Sequence, residues 1–120
     1  MSVTVNDICA VIAASNYARA RSWYSGIIGR EPDLEPVQGV AEWQITSTAW
    51  LQLIEDPDRA GKSAVRIGVT DLAAAIKMLN DAGVATGQPV VIAGMVRVVD
   101  IPDPDGNEVS FVEEVTSPEA

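Results

Sequence analysis

The feature that most constrains this chain is an internal repeat: an order of strand, helix and strands occurs twice, each copy running over roughly 55 residues. In the first copy, Ile8 to Ala14 is a short apolar strand, and Asn16 can cap a helix that carries Tyr17, Ala20, Tyr24 and Ile27 or Ile28 at helical spacing. Gly29 stops that helix and Pro32 prevents its resumption. Asp33 to Gly39 is ambiguous between loop and a short edge strand broken by Pro36, after which Val40–Thr46 and Ala49–Glu55 form a hairpin around Ser47-Thr48. Asp56 to Lys62 is a polar connection. In the second copy, Ser63 to Val69 is a strand, Asp71 caps a helix with an apolar stripe of Leu72, Ala75, Ile76 and Leu79, and Gly83 ends it. Val90 to Ala93 is a short strand, bent or broken at Gly94. A closing hairpin then runs from Val96–Ile101 to Glu108–Glu113 around Asp103-Pro104-Asp105-Gly106-Asn107. The expected architecture is one α+β unit spanning 1–120, made of modules 6–56 and 63–115 joined by a linker at 57–62.

Composition removes several classes of function. No apolar run reaches the length of a membrane span, and no basic segment followed by an apolar one opens the chain, so neither a membrane partner nor a signal peptide is expected. Cys9 is the single cysteine, which excludes an intramolecular disulfide and favours a cytoplasmic location. Eight basic against seventeen acidic residues give a net charge of −9, which repels a phosphate backbone, excludes nucleic acid as the expected partner and favours a cationic ligand. The chain has no histidine, so it has no imidazole base, no imidazole metal ligand and no Ser–His–Asp triad.

Three stretches carry a resemblance: Asn16 to Gly29, with Trp23-Tyr24 and Ile28-Gly29; the turn Asp103 to Asn107; and Val69-Thr70-Asp71-Leu72, which repeats the strand-to-helix junction. In their order and spacing, over residues 6 to 115, the chain resembles the vicinal-oxygen-chelate superfamily, which includes glyoxalase, extradiol dioxygenases and bleomycin-resistance proteins. The resemblance implies two tandem βαβββ modules whose mixed sheet curls around a cavity, commonly in a homodimer. Metal-dependent members carry ligands, usually His or Glu, at four inward strand positions. Matched through the flanking motifs, these are Cys9, Gln52, Ala64 and Ser110 here. Alanine cannot bind a metal, an amide and a hydroxyl are poor neutral ligands, and one thiol cannot make a closed tetrahedral site. No metal and no other cofactor are therefore expected.

Strand period assigns the faces. With Ser47-Thr48 as a two-residue turn, Ile45 opposes Trp50 and Trp43 opposes Gln52, which puts both tryptophans on the cavity side and Leu51 and Leu53 toward a helix. Ala64, Arg66 and Gly68 share one face of the next strand. The closing hairpin, with Asp103 to Gly106 as its turn, opposes Arg97 with Val112, Val99 with Ser110 and Ile101 with Glu108. The candidate ligand-binding residues are thus Trp43, Trp50, Gln52, Arg66, Arg97, Glu108 and Ser110. Paired indoles suit a planar molecule or a cation, or alternatively fill a sheet core or a dimer interface. The arginines need a carboxylate such as Glu108, solvent, or an anionic ligand group. The function expected first is non-catalytic binding or sequestration of a small organic molecule, planar or partly cationic, as in antibiotic resistance. The alternatives are a metal-independent isomerase, epimerase or lyase with Glu108 as base, and a structural or regulatory homodimer with a vestigial cavity.

Overall fold

The computed structural model describes residues 3–115; the first two and last five positions of the expected unit lie outside the described residues. The first copy comprises β1 (Ile8–Ala14), α1 (Tyr17–Ile28), β2 (Val40–Thr46) and β3 (Ala49–Glu55). The second comprises β4 (Ala64–Gly68), α2 (Leu72–Asp81), β5 (Val90–Ile92), β6 (Val96–Pro102) and β7 (Glu108–Glu114).

Both helices begin and end on the signals their sequences carry. The Asn16 side chain accepts from the Arg19 N–H and the Asp71 side chain from the Ala74 N–H, each satisfying a donor that the first turn leaves free. Gly29 sits at φ 88°, a left-handed conformation that glycine adopts at no steric cost, and it closes α1. After α2, the Gly83 N–H reaches Asn80 O and the Val84 N–H reaches Leu79 O, the paired bonds of a Schellman ending.

The two copies share a sheet plan. In each, the first strand pairs in parallel with the last, as a crossover through a helix requires: β1 with β3, and β4 with β7. The sheet orders are β1-β3-β2 and β4-β7-β6-β5. The first copy's outermost strand is reduced to one bridge between Leu34 and Glu42, because Pro36 cannot donate to a ladder.

Two hairpin registers differ from the sequence reading by one residue, and a one-residue slip exchanges the faces. In β2–β3 the ladder shifts between Gln44 and Thr46, so that Ile45 is an extra residue and Trp43 lies opposite Leu51 rather than Gln52. In β6–β7 the loop takes all of Asp103 to Asn107. Pro102 therefore opposes Glu108, and Arg97 opposes Glu113 rather than Val112.

Both helices pack on one face of the sheets. Ile12, Leu51, Leu53, Trp43, Tyr24 and Ile27 from the first copy join Leu72, Leu79, Val99, Ile101, Val109 and Phe111 from the second in one buried cluster. The opposite face has no covering layer, consistent with overall extents of 49 × 46 × 25 Å. The halves are joined by the Asp103–Asn107 loop. Asp103, only 5% exposed, accepts from the Tyr24 hydroxyl of α1 at 2.7 Å, from the Asn107 side-chain amide at 2.7 Å, and from the backbone N–H groups of Asp105 and Asn107. Asn107 in turn donates to the Ala13 carbonyl at the end of β1 and accepts from the Ser63 N–H. Ser15 donates through its backbone N–H and its hydroxyl to Asp105, tightening the same corner.

Candidate functional site

The open face follows from the alternation of strand side chains once the registers are fixed. On the first sheet it presents Cys9 and Val11 of β1, Glu42 and Gln44 of β2, and Trp50, Gln52 and Ile54 of β3. On the second it presents Ala64, Arg66 and Gly68 of β4, Val96, Val98 and Asp100 of β6, and Glu108, Ser110, Val112 and Glu114 of β7.

Five of the seven residues expected at a binding site therefore share this face. Trp50 is half-buried. Gln52 donates through Nε2 to Glu42 Oε2 at 2.6 Å. Arg66 and Glu108 are exposed and stand 4.0 Å apart, a loose pair that solvent weakens. Ser110 is buried and its hydroxyl donates to Asp100 Oδ1 at 2.5 Å.

The other two point away. Trp43 is fully buried on the helix side, its ring tilted against Tyr24 with centroids 6.4 Å apart and its indole N–H donating to the Arg30 carbonyl. It belongs to the core, so the two tryptophans neither form a shared wall nor pack on one another. Arg97 lies on the helix side as well, paired with Glu113 at 2.9 Å. Both corrections come from the slipped registers. Two residues were missed for the same reason: Glu42 and Asp100 reach the open face only once the Ile45 bulge and the five-residue loop are counted.

The face is acidic. It carries the carboxylates of Glu42, Asp100, Glu108 and Glu114 against one guanidinium, that of Arg66. Partial burial, and then the negative charges of Glu42 and Asp7, push the Cys9 thiol up from its ordinary value. A thiol so placed stays protonated at neutral pH and is a poor nucleophile.

The four positions that the resemblance matches to metal ligands, Cys9, Gln52, Ala64 and Ser110, hold a thiol, an amide, a methyl group and a hydroxyl. The amide N–H of Gln52 is directed to Glu42 and the Ser110 hydroxyl to Asp100. Among the described residues, no three His, Cys, Asp or Glu side chains lie close enough together to hold a metal ion. This donor set does not fit a tetrahedral site.

The fold is similar to that of a glyoxalase / bleomycin resistance protein from Catenulispora acidiphila DSM 44928. That match has a TM-score of 0.85 and 31% identity over 92% of this chain and 98% of the other. TnmS3, an antibiotic binding protein from Streptomyces sp. CB03234, aligns with a TM-score of 0.76 and 20% identity over 95% and 98% of the two chains. A lactoylglutathione lyase from Agrobacterium tumefaciens aligns with a TM-score of 0.74 and 15% identity over 88% and 91%. At those identities the last two show the fold alone. No family model and no curated protein matches the sequence.

Proposed function

Because the chain belongs to the glyoxalase/bleomycin-resistance family of the vicinal-oxygen-chelate superfamily, we propose that its open face binds a small planar, cationic organic molecule and leaves it chemically unchanged. The observation that carries this reading is the half-buried Trp50 ring on a face where four carboxylates, Glu42, Asp100, Glu108 and Glu114, stand against Arg66 alone. An indole face attracts a cation by roughly 0.5–2 kcal/mol, depending on how much water is excluded. Carboxylates set around the ring add attraction that salt screens. A planar cation satisfies both at once, whereas a planar anion meets the same ring and the opposite field.

Binding without reaction is favoured by the groups that the face lacks. It offers no imidazole, its thiol is held protonated, and its hydroxyl is buried and directed to Asp100. The names carried by relatives, bleomycin resistance protein and antibiotic binding protein, support a drug-sized organic ligand. A second copy of the chain laid over the open face, covering apolar side chains such as Val11, which is 46% exposed, would turn it into an enclosed cleft. A homodimer is therefore part of the reading.

Titration calorimetry tests it with proflavine as a planar cation, anthracene-2-carboxylate as a planar anion of similar size, and bleomycin. Proflavine should bind saturably and about tenfold or more tighter than the anion, with the preference shrinking as salt is raised. Trp50→Ala should weaken it by about 3- to 30-fold. Equal affinity for cation and anion, or indifference to Trp50→Ala, would sink the proposal.

A further inference from the structure

The two sheets meet along β1 and β4, neighbouring strands that share no ladder. One end of this seam is shut, because Asn107 ties β1 at Ala13 to the start of β4 at Ser63. At the other end the sheets part and leave a cavity of about 260 Å3, lined by Ala10, Leu51, Val65 and Ile67, with Trp50 and Arg66 also in its wall. A second cavity of about 200 Å3, lined by Ile27, Met78 and Phe111, borders the same two residues, Ile45 and Ile67, as the first. Most of these residues face the helices. The two spaces adjoin at Ile45 and Ile67, and the first opens through the seam to Trp50 and Arg66 on the open face.

The geometry points to a second binding site in this apolar cleft, for a straight-chain aliphatic carboxylate whose tail lies along the seam and whose head meets Arg66. The walls select an apolar body, and two spaces that adjoin at Ile45 and Ile67 suit one long enough to reach from one into the other. The two cations in the lining set the head group. Arg30 is engaged by Asp33 at 3.1 Å and donates to the Gln44 carbonyl. Arg66 is more than half exposed and has only the loose 4.0 Å contact with Glu108, so its guanidinium is free to give a carboxylate two parallel N–H bonds. Glu108 opposes the incoming charge, which leaves the tail as the larger source of affinity. This site shares Trp50 and Arg66 with the open face, but it is argued from the apolar cleft and not from the planar-cation reading.

The test is a titration of the full chain, carrying 13C-methyl methionine, with sodium hexanoate, octanoate and decanoate and with neutral octan-1-ol. The Met78 methyl resonance, which reports the second cavity, should shift saturably. Affinity should rise about three- to fourfold for each added methylene. Arg66→Gln should weaken octanoate about five- to tenfold and Glu108→Gln should strengthen it severalfold, while octan-1-ol ignores both. Arg66 and Glu108 are exposed, so these variants keep the fold and the test does not depend on a core substitution. Ile67→Trp, which fills the junction of the two spaces, should abolish the Met78 shift in a protein whose circular dichroism is unchanged. No saturable shift at Met78 up to several millimolar octanoate would overturn the site. Octanoate binding that ignores both charge variants would overturn the head-group assignment. The Met78 readout is separate from the proflavine titration, so failure of one leaves the other standing.

Discussion

Replacing Asp103 by alanine removes the carboxylate on which the junction between the halves converges. Its oxygens accept from the Tyr24 hydroxyl, the Asn107 amide and two backbone N–H groups, at distances between 2.7 and 2.9 Å. The alanine variant leaves the Tyr24 hydroxyl, in a fully buried residue, without its acceptor, and it frees the Asn107 and Asp105 N–H groups. The Asn107 amide keeps the Ala13 carbonyl, so its loss is partial. An orphaned buried donor costs about 1–3 kcal/mol, and each bond to a charged acceptor contributes about 1.5–3 kcal/mol. Taken with some solvent entry, the cost should be about 3–5 kcal/mol, a large part of the 5–15 kcal/mol typical of a domain. Asp103→Asn should cost less, about 2 kcal/mol, since its remaining oxygen still accepts while its NH2 group meets the Asn107 NH2 group. Urea unfolding of both variants, with Tyr24→Phe and the double variant, closes the cycle. A coupling of about 1–2 kcal/mol between Asp103 and Tyr24 is expected. A cost below about 1 kcal/mol for Asp103→Ala, or strict additivity with Tyr24→Phe, would refute the claim that this loop holds the halves together.

The alkaline limb of stability follows from two tyrosines. Burial and then Glu35 push the Tyr17 hydroxyl up to about 12, and burial and then Asp103 push the Tyr24 hydroxyl well above its ordinary value of 10.0. A raised folded pKa contributes stability that is complete below pH 10 and is lost above it. Urea midpoints should therefore fall between pH 10 and 12, and Tyr17→Phe should flatten that slope. Ala93 occupies a left-handed conformation at φ 54°, ahead of Gly94 at φ 65°, in the turn closed by the Met95 N–H to Ile92 O bond. Ala93→Asn supplies the Asn-Gly pair that this turn prefers and should add about 0.5–1 kcal/mol in the same assay. Gly61 lies at φ 82°, and a Cβ there would sit 2.5 Å from the Asp105 carbonyl oxygen. Gly61→Ala should cost about 2 kcal/mol or more, and a thermal midpoint within 2 °C of the parent would contradict it.

Element order was legible in the sequence because it rests on local chemistry. Asn16, Gly29, Asp71 and Gly83 act within one turn of themselves, and each stands where its helix begins or ends. Leu34 shows the same rule at its limit, with Pro36 reducing a strand to one bridge. Strand register was not legible, because it depends on how many residues a turn absorbs. Ser47-Thr48 carries none of the glycine that marks a tight hairpin, and nothing in Trp43-Gln44-Ile45-Thr46 announces that Ile45 is an extra residue. At the closing loop, Asp103 and Asn107 exchange side-chain and backbone bonds across the turn, and this makes it one residue longer than the sequence reading allowed.

Those two slips decide the charge of the open face. The expected registers gave it two tryptophans, two arginines and one carboxylate, a balance that resists a cation unless the arginines are paired. The observed registers send Trp43 and Arg97 to the helix side and bring Glu42 and Asp100 forward. Arg97 also acquires the partner a part-buried guanidinium requires, Glu113 at 2.9 Å. With Arg97 withdrawn, the face is left with four carboxylates, Glu114 at the end of β7 among them, and Arg66. The negative net charge of the chain is thereby expressed on the same surface as its half-buried indole. Parity thus removes the main physical objection to a cationic ligand and concentrates recognition on one aromatic ring. Under this reading the preference for a planar cation over a planar anion should track the number of carboxylates on the face. Glu42→Gln and Asp100→Asn should each lower it severalfold, and Arg97→Gln, on the other side of the sheet, should leave it unchanged.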